Sequence, residues 1–424
     1  MNLPPPLPVT KHLDHASVWQ LVLGVIGLAL TFLAALAVWA LSLLARSKTG
    51  TLSLKTQNFP SMLWMVGFLA LLAIPSIVYA ARRLTGHTSR PLTISARTLW
   101  LALAALILWA GLLYVGNNAT RWALPQAVLT PLNILVVAIP ILLLLTVGLY
   151  RLRANSRQRI WGAITLTTFV TTEIVMLLEL ILIAIIAVAG IVWLSKQAEF
   201  APYLNLLAGQ KTLTESSLNS VLSQIAPLLN KPGVYAVVIL VFCLFAPLIE
   251  EAFKPLGVWF LAGKQPSPTQ GFTIGLICGA TFGLLESLSL VNTSTGELWL
   301  YTVIARVGTG LLHTFTAGVS GWALAKTWQD RRYLRISLIY IGVVFLHGTW
   351  NLFAVLFGVS QLAFPINSAF LTGLMGVSNW VLYGLALLML VGLFWMNIYL
   401  RRSSTPPDLP STPSENTGLL DQAN

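Results

Sequence analysis

Charge is what this sequence has least of. Only 9% of its 424 residues are Asp, Glu, Lys or Arg, against about 25% in an ordinary soluble domain. With 56% of its residues hydrophobic, a water-soluble chain of this length could not hide its apolar surface. That excludes a soluble enzyme and a disordered protein alike. Cysteine is nearly absent: Cys243 and Cys278 both fall inside apolar runs, which excludes a disulfide scaffold and a zinc ribbon. There is no G-x-S-x-G elbow, no H-E-x-x-H and no G-x-G-D-type aspartyl pair, and no nucleophilic Ser or Cys stands out. What remains is an all-α, polytopic bundle of transmembrane helices.

Long apolar runs, by contrast, are plentiful. Ten are long enough to cross a bilayer: 17–45, 61–81, 97–116, 127–150, 160–194, 233–261, 271–292, 298–325, 336–358 and 373–400, since a span needs about 20 such residues. The fifth is overlong and is expected to tilt or project. The first is too long for a signal-peptide core. Residues 1–16, with Pro4, Pro5, Pro6 and Pro8, and the Ser/Thr/Pro-rich end from 401 to 424 are expected to be unstructured. The one long loop, 195–232, places Leu204, Leu207, Leu213, Leu218, Leu222 and Ile225 among polar neighbours, a pattern that suits an outer interfacial helix. The organisation expected is an accessory transmembrane module over 17–160, a fifth span with its outer loop over 161–232, and a functional core over 233–400.

The net charge of +12 points to lipid rather than nucleic acid, because the basic residues sit in short loops between spans. With both termini cytoplasmic, inner segments hold 16 basic residues and outer loops seven. Arg46, Lys48 and Lys55 in the first loop run against this orientation. A multi-pass protein of the cell membrane is expected.

Ionisable groups inside a bilayer cost about 2.5–3.5 kcal/mol each on insertion scales and mark function by default. Glu173, Glu179, Glu250, Glu251 and Glu286 fall in apolar runs, as do Lys254, Arg306, His313 and His347. All but the first two lie on four successive spans. At 1.5 Å rise per residue, Glu250, Glu286, His313 and His347 lie about 16, 22, 18 and 16 Å from the cytoplasmic ends of their helices. Glu250 and Lys254 share a face, as do Glu286 with Phe282 and His347 with Asn351; Arg306 and His313 lie two turns apart on one stripe. Singly, each has a packing explanation. Together they predict one wet pocket near the bilayer middle. Glu173 and Glu179 share no face, and structural or cavity-edge positions are expected for them.

Adjacent buried carboxylates beside an imidazole suit general-base activation of water. A second His with an Asn one turn on offers donors to an oxyanion. That is the equipment of peptide-bond hydrolysis by activated water. No cofactor is certain; Glu and His also ligate zinc, and were a metal used, Glu250, His313 and His347 would hold it. A proton-coupled transporter or channel uses the same residue types, and a non-catalytic scaffold of the same fold is the third reading.

Glu250-Glu251-Ala-Phe-Lys254 resembles the EExxK motif of the PrsW-type intramembrane proteases, relatives of the CAAX prenyl endopeptidases. Phe282-Gly-Leu-Leu-Glu286 resembles their second motif, Arg306 with His313 the third, and His347-Gly-Thr-Trp-Asn351 the last. Ser287 stands where close relatives are expected to have Asn. The resemblance implies an intramembrane endopeptidase acting on a membrane-anchored protein, by site-1-type cleavage of an anti-sigma-type regulator. It implies that Glu250 and Glu251 are catalytic, with His313 and His347 orienting water beside Glu286. Asn351, Lys254 and Arg306 would support them, Asn351 at the oxyanion. Substrate, oligomeric state and the choice between glutamic and metallo chemistry stay open.

Overall fold

A computed structural model describes residues 14–46, 59–152, 155–196, 232–294, 296–361 and 368–403. Residues 1–13, nearly all of the loop expected to be amphipathic, and residues 404–424 lie outside the described residues. The helices are α1 (His15–Arg46), α2 (Phe59–Leu84), α3 (Ala96–Asn117), α4 (Gln126–Gly148), α5 (Arg157–Leu166), α6 (Thr172–Ser195), α7 (Pro232–Ile239), α8 (Ala246–Phe253), α9 (Leu256–Trp259), α10 (Pro268–Thr293), α11 (Glu297–Asp330), α12 (Tyr333–Gln361) and α13 (Ala369–Ser403). Two π-helical turns, Thr167–Thr171 and Leu240–Phe245, join α5 to α6 and α7 to α8. Among the described residues there is no strand, only isolated bridges pairing Pro91 with Ser156 and Ile94 with Tyr150.

Nine helical stretches among the described residues are long and apolar enough to span a membrane. The overlong fifth run is one of them: α5, the π turn and α6 form a continuous rod, Arg157–Trp193, of 37 residues. Of the ten expected spans, the one at 298–325 is present as α11 but is not apolar enough to count among the nine. The reason is where it lies. It packs against α4, α10, α12 and α13, so its polar residues face protein rather than lipid.

The tightest pairing is α10 against α11, and its cause is written in the sequence. Gly271, Gly275, Gly279 and Gly283 recur every fourth residue on one face of α10. A Cβ at Gly271 would collide with the Gly321 carbonyl, at Gly275 with Ala317, and at Gly279 with the His313 carbonyl. Small residues at this spacing let two backbones touch. A capping box at Ser267 and Gln270, with Pro268 in the first turn, fixes where α10 begins.

Several of the expected inner segments meet at one end of the bundle. Arg83 pairs with Asp14 at 3.3 Å. The Arg90 carbonyl accepts from Arg157 N at 3.0 Å and that of Ile94 from Arg151 N at 3.1 Å. Asn155 Nδ2 donates to the Gln270 carbonyl at 3.0 Å, Gln329 to that of Pro266 at 3.3 Å, and Arg401 lies over the Tyr150 ring. The basic residues that loop counting assigns to one side are therefore gathered by the fold itself.

Candidate active site

Four helices bring the predicted residues together. α8 carries Glu250 and Glu251, and Lys254 follows it directly. α10 carries Phe282 and Glu286, α11 carries Arg306 and His313, and α12 carries His347 and Asn351. Glu250, Glu251, Lys254, His313 and His347 are all buried.

Lys254 is the hub. Its ammonium lies 2.9 Å from Glu250 Oε2 and 2.8 Å from Glu251 Oε1, 2.5 Å from His313 Nδ1, and over the Phe282 ring. A lysine ammonium only donates, so His313 accepts at Nδ1 and carries its proton on Nε2. That nitrogen lies 2.7 Å from Glu286 Oε2. Glu286 Oε2 is also 2.7 Å from Arg306 Nη2, and Arg306 Nε donates to Ser287 Oγ at 3.0 Å. Ser287, the departure from the expected Asn, thus steadies Arg306.

The second histidine is held in the same manner by a different acid. His347 Nδ1 lies 2.8 Å from Glu251 Oε1, which also accepts from Thr316 Oγ1 at 3.2 Å. With its proton on Nδ1, His347 leaves Nε2 as a bare lone pair, 4.0 Å from Glu250 Oε1. Two acceptors facing each other across 4.0 Å call for a donor or a cation between them.

A cavity of about 370 Å³ opens beside this cluster, lined by Glu250, Glu286, Arg306, Thr309 and Asn351 and, from α6, by Glu179. Glu250 and Glu286 reach into it; Lys254, Glu251 and both histidines stand behind its wall. About a third of the Glu286 side chain is accessible. Of the two upstream acids, Glu179 reaches the cavity edge and Glu173 is exposed on the outside of α6.

The His347–Asn351 motif serves packing as well as chemistry. Gly348 lies against the Cys243 carbonyl with no room for a Cβ. Asn351 Nδ2 donates to the Phe242 carbonyl at 2.9 Å. Both partners belong to the π turn Leu240–Phe245, whose widened geometry alters the usual i→i−4 pairing. Trp350 fills the space at Gly308 and donates to Thr309 Oγ1 at 3.2 Å. Sequence reasoning missed the α10 glycine ladder, although its four-residue period is plain, and missed Thr316, which no motif marks.

The donor set fits a metal. Glu250, His313 and His347 each offer one ligand atom, all within 4.8 Å of one another. Each histidine has one nitrogen oriented by a carboxylate, Glu286 or Glu251, as metal-binding histidines do, but the other nitrogen of His313, Nδ1, is held by the Lys254 ammonium, which a metal would have to displace. Three acidic side chains, Glu250, Glu251 and Glu286, meet two basic ones, Lys254 and Arg306, so a further positive charge is welcome in this low-dielectric site.

No curated protein and no solved structure matches the chain. Residues 206–383, the stretch that carries all four motifs, match the model of the PrsW family intramembrane metalloproteases, so this part of the chain is similar to a membrane-embedded protease of that family.

Proposed function

We propose that the chain hydrolyses peptide bonds of membrane-anchored proteins at the Glu250–His347 gap, with Glu250 and Glu251 as the essential acids. The observation that carries this reading is the pair of acceptors, Glu250 Oε1 and His347 Nε2, held 4.0 Å apart, with Glu250 in the cavity lining and His347 directly behind it. A water seated there donates one hydrogen bond to each, gives one proton to the base as it attacks, and presents its lone pair to a substrate carbonyl in the cavity. Lys254 pairs with both glutamates and fixes the His313 tautomer. Glu251 does the same for His347.

Arg306 beside Glu286, and Asn351, line the cavity and are the donors available to charge developing on the carbonyl oxygen. His313 Nε2 shares a proton with Glu286, which reaches the cavity and is placed to pass it to the leaving amine. Should zinc be the resident metal, Glu250, His313 and His347 would hold it, and it would supply a more acidic water and carbonyl polarisation. The 17–160 helices serve as an accessory module around this core. An anti-sigma-type regulator cut at a first site is the substrate that fits the family resemblance, and the cell membrane is where it would be met.

The test is cleavage of a quenched-fluorescence transmembrane peptide by full-length protein in detergent. Glu250→Ala and Glu251→Ala should each lower kcat by at least about 10²-fold. Full activity in both variants would sink the proposal. Metal analysis of the same preparation decides the chemistry. A metallo mechanism predicts about one bound zinc, lost together with activity on chelation and missing from His313→Ala/His347→Ala.

A further inference from the structure

The cavity has two walls of different origin. One comes from helices within the family-matched stretch; the other is α6, which precedes it. α6 supplies Glu179, Leu182 and Ile183. The other cavity acids each have a cation, Glu250 from Lys254 and Glu286 from Arg306. Among the described residues no lysine, arginine or histidine pairs with Glu179. Its Oε1 is shut off from solvent and meets no donor; its carboxyl hydrogen-bonds Glu250 and lies near a third acid, Glu286, with Lys254 the one cation in its neighbourhood among the described residues.

An acid held near two others at this depth is costly by the same about 2.5–3.5 kcal/mol that marks functional groups in membranes. What would offset that cost is a cation on an apolar stem. Leu182 and Ile183 beside Glu179 offer the surface for such a stem, and a Lys or Arg side chain has this shape. Membrane-anchored proteins carry these residues near the ends of their spans, where long basic side chains extend along the apolar surface.

We propose that Glu179 is the specificity-determining residue of this cavity, pairing with a Lys or Arg side chain that lies within a few residues of the cleaved bond in the substrate. This inference rests on the proteolytic reading and adds to it a substrate class and a residue from outside the family-matched stretch.

The experiment uses full-length protein in detergent and pairs of labelled transmembrane peptides. In each pair one Lys, stepped through an otherwise apolar segment, is compared with norleucine at the same place. Cleavage gives kcat and KM. Anisotropy on the cleavage-deficient Glu251→Gln background gives binding. At one register the Lys peptide should bind about tenfold more tightly than its partner, with the difference in KM rather than kcat. Glu179→Gln should bring the ratio to about one. Glu179→Lys should move the preference to a peptide bearing Glu at that register.

The absence of any Lys preference in the unmodified chain overturns the proposal, and so does an unchanged ratio in Glu179→Gln. Thermal unfolding of both variants confirms that they are folded, and the ratio in the unmodified chain needs no variant at all. The two layers fail separately. Selective binding without cleavage removes the protease reading and keeps the recognition site, whereas cleavage without selectivity does the reverse.

Discussion

Glu286 and Glu179 line one cavity from two very different helices. In the most apolar window of α10, 78% of residues are buried inside the protein; for the rod that contains α6 the figure is 6%. Glu286 is fixed by Arg306 and His313, on a helix whose glycines lie against the α11 backbone. Glu179 has no such partner among the described residues, and α6 touches little beyond its own π turn and α8. The difference separates two tasks. The groups that must hold a water to within tenths of an ångström, Glu250 on α8 and His347 on α12, are buried among protein side chains. The wall that meets a variable substrate is a lipid-facing helix with room to adjust.

The harshest way to break this contrast is to add one side chain to each helix. A Cβ at Gly279 overlaps the His313 carbonyl, a backbone atom that cannot swing away. Gly279→Val should force α10 and α11 apart, cost more than the about 1–3 kcal/mol of ordinary overpacking, and abolish both folding in detergent and activity. At Gly190 on α6 nothing lies within 4 Å of an added Cβ, and Gly190→Ala should change stability by less than about 0.5 kcal/mol. Size-exclusion profiles and thermal unfolding of the two variants provide the check. Equal tolerance at both sites would mean that the α10–α11 contact is not what holds the site.

A smaller effect tests whether the fixed wall depends on charge as well as shape. Removing one member of a fully buried ion pair costs about 3–5 kcal/mol because the other is left uncompensated, and less here, where about a third of the Glu286 side chain meets solvent. Arg306→Met should therefore lower the melting temperature clearly and, by loosening Glu286 and His313, reduce turnover by about 10- to 100-fold. Adding Glu286→Gln to Arg306→Met should return much of the stability and none of the activity. Recovery of both would assign the pair to packing alone. On α6, Glu173→Gln at an exposed position should move neither quantity.

The same contrast explains what could be read from the sequence. The spans, the depth-matched acids and imidazoles, and the pairing of Glu250 with Lys254 were legible because burial in lipid makes every charge conspicuous and helical spacing fixes its face. The metal-competent trio of Glu250, His313 and His347 was legible for the same reason, and the structure places their ligand atoms within 4.8 Å. Spacing could not show that Lys254 touches His313 as well as both glutamates, because that contact depends on how α8 sits against α11. Nor could it separate Glu179 from Glu173. Both are single acids in one apolar run, and only the position of the rod relative to α8 turns one of them toward the cavity. The span at 298–325 was counted by length, but its polarity records that protein, not lipid, surrounds it.

The smallest expected effect lies at the far end of the N-terminal helices, where the fold is held by surface groups. Asp14 caps α1, accepting from Ser17 N at 3.4 Å and from Ser17 Oγ at 3.0 Å, and it pairs with Arg83 on α2 at 3.3 Å. Partial burial pushes its carboxyl up, but the Ser17 hydrogen bonds and Arg83 outweigh it and hold the group below the ordinary aspartate value. A depressed folded value means that the ionised form stabilises the fold. The contribution is full above the unfolded value of about 3.9 and fades as pH falls through the folded one. Because both partners are about 40% exposed, solvent screening limits the gain to less than about 1 kcal/mol. Asp14→Asn should thus lower the melting temperature by a degree or two at neutral pH, in low salt, and by less as the pH is taken below about 4. Because α1 and α2 stand apart from the cavity wall, cleavage should be unchanged. A matching loss of activity would couple the N-terminal helices to the site and erase the division between the held wall and its surroundings.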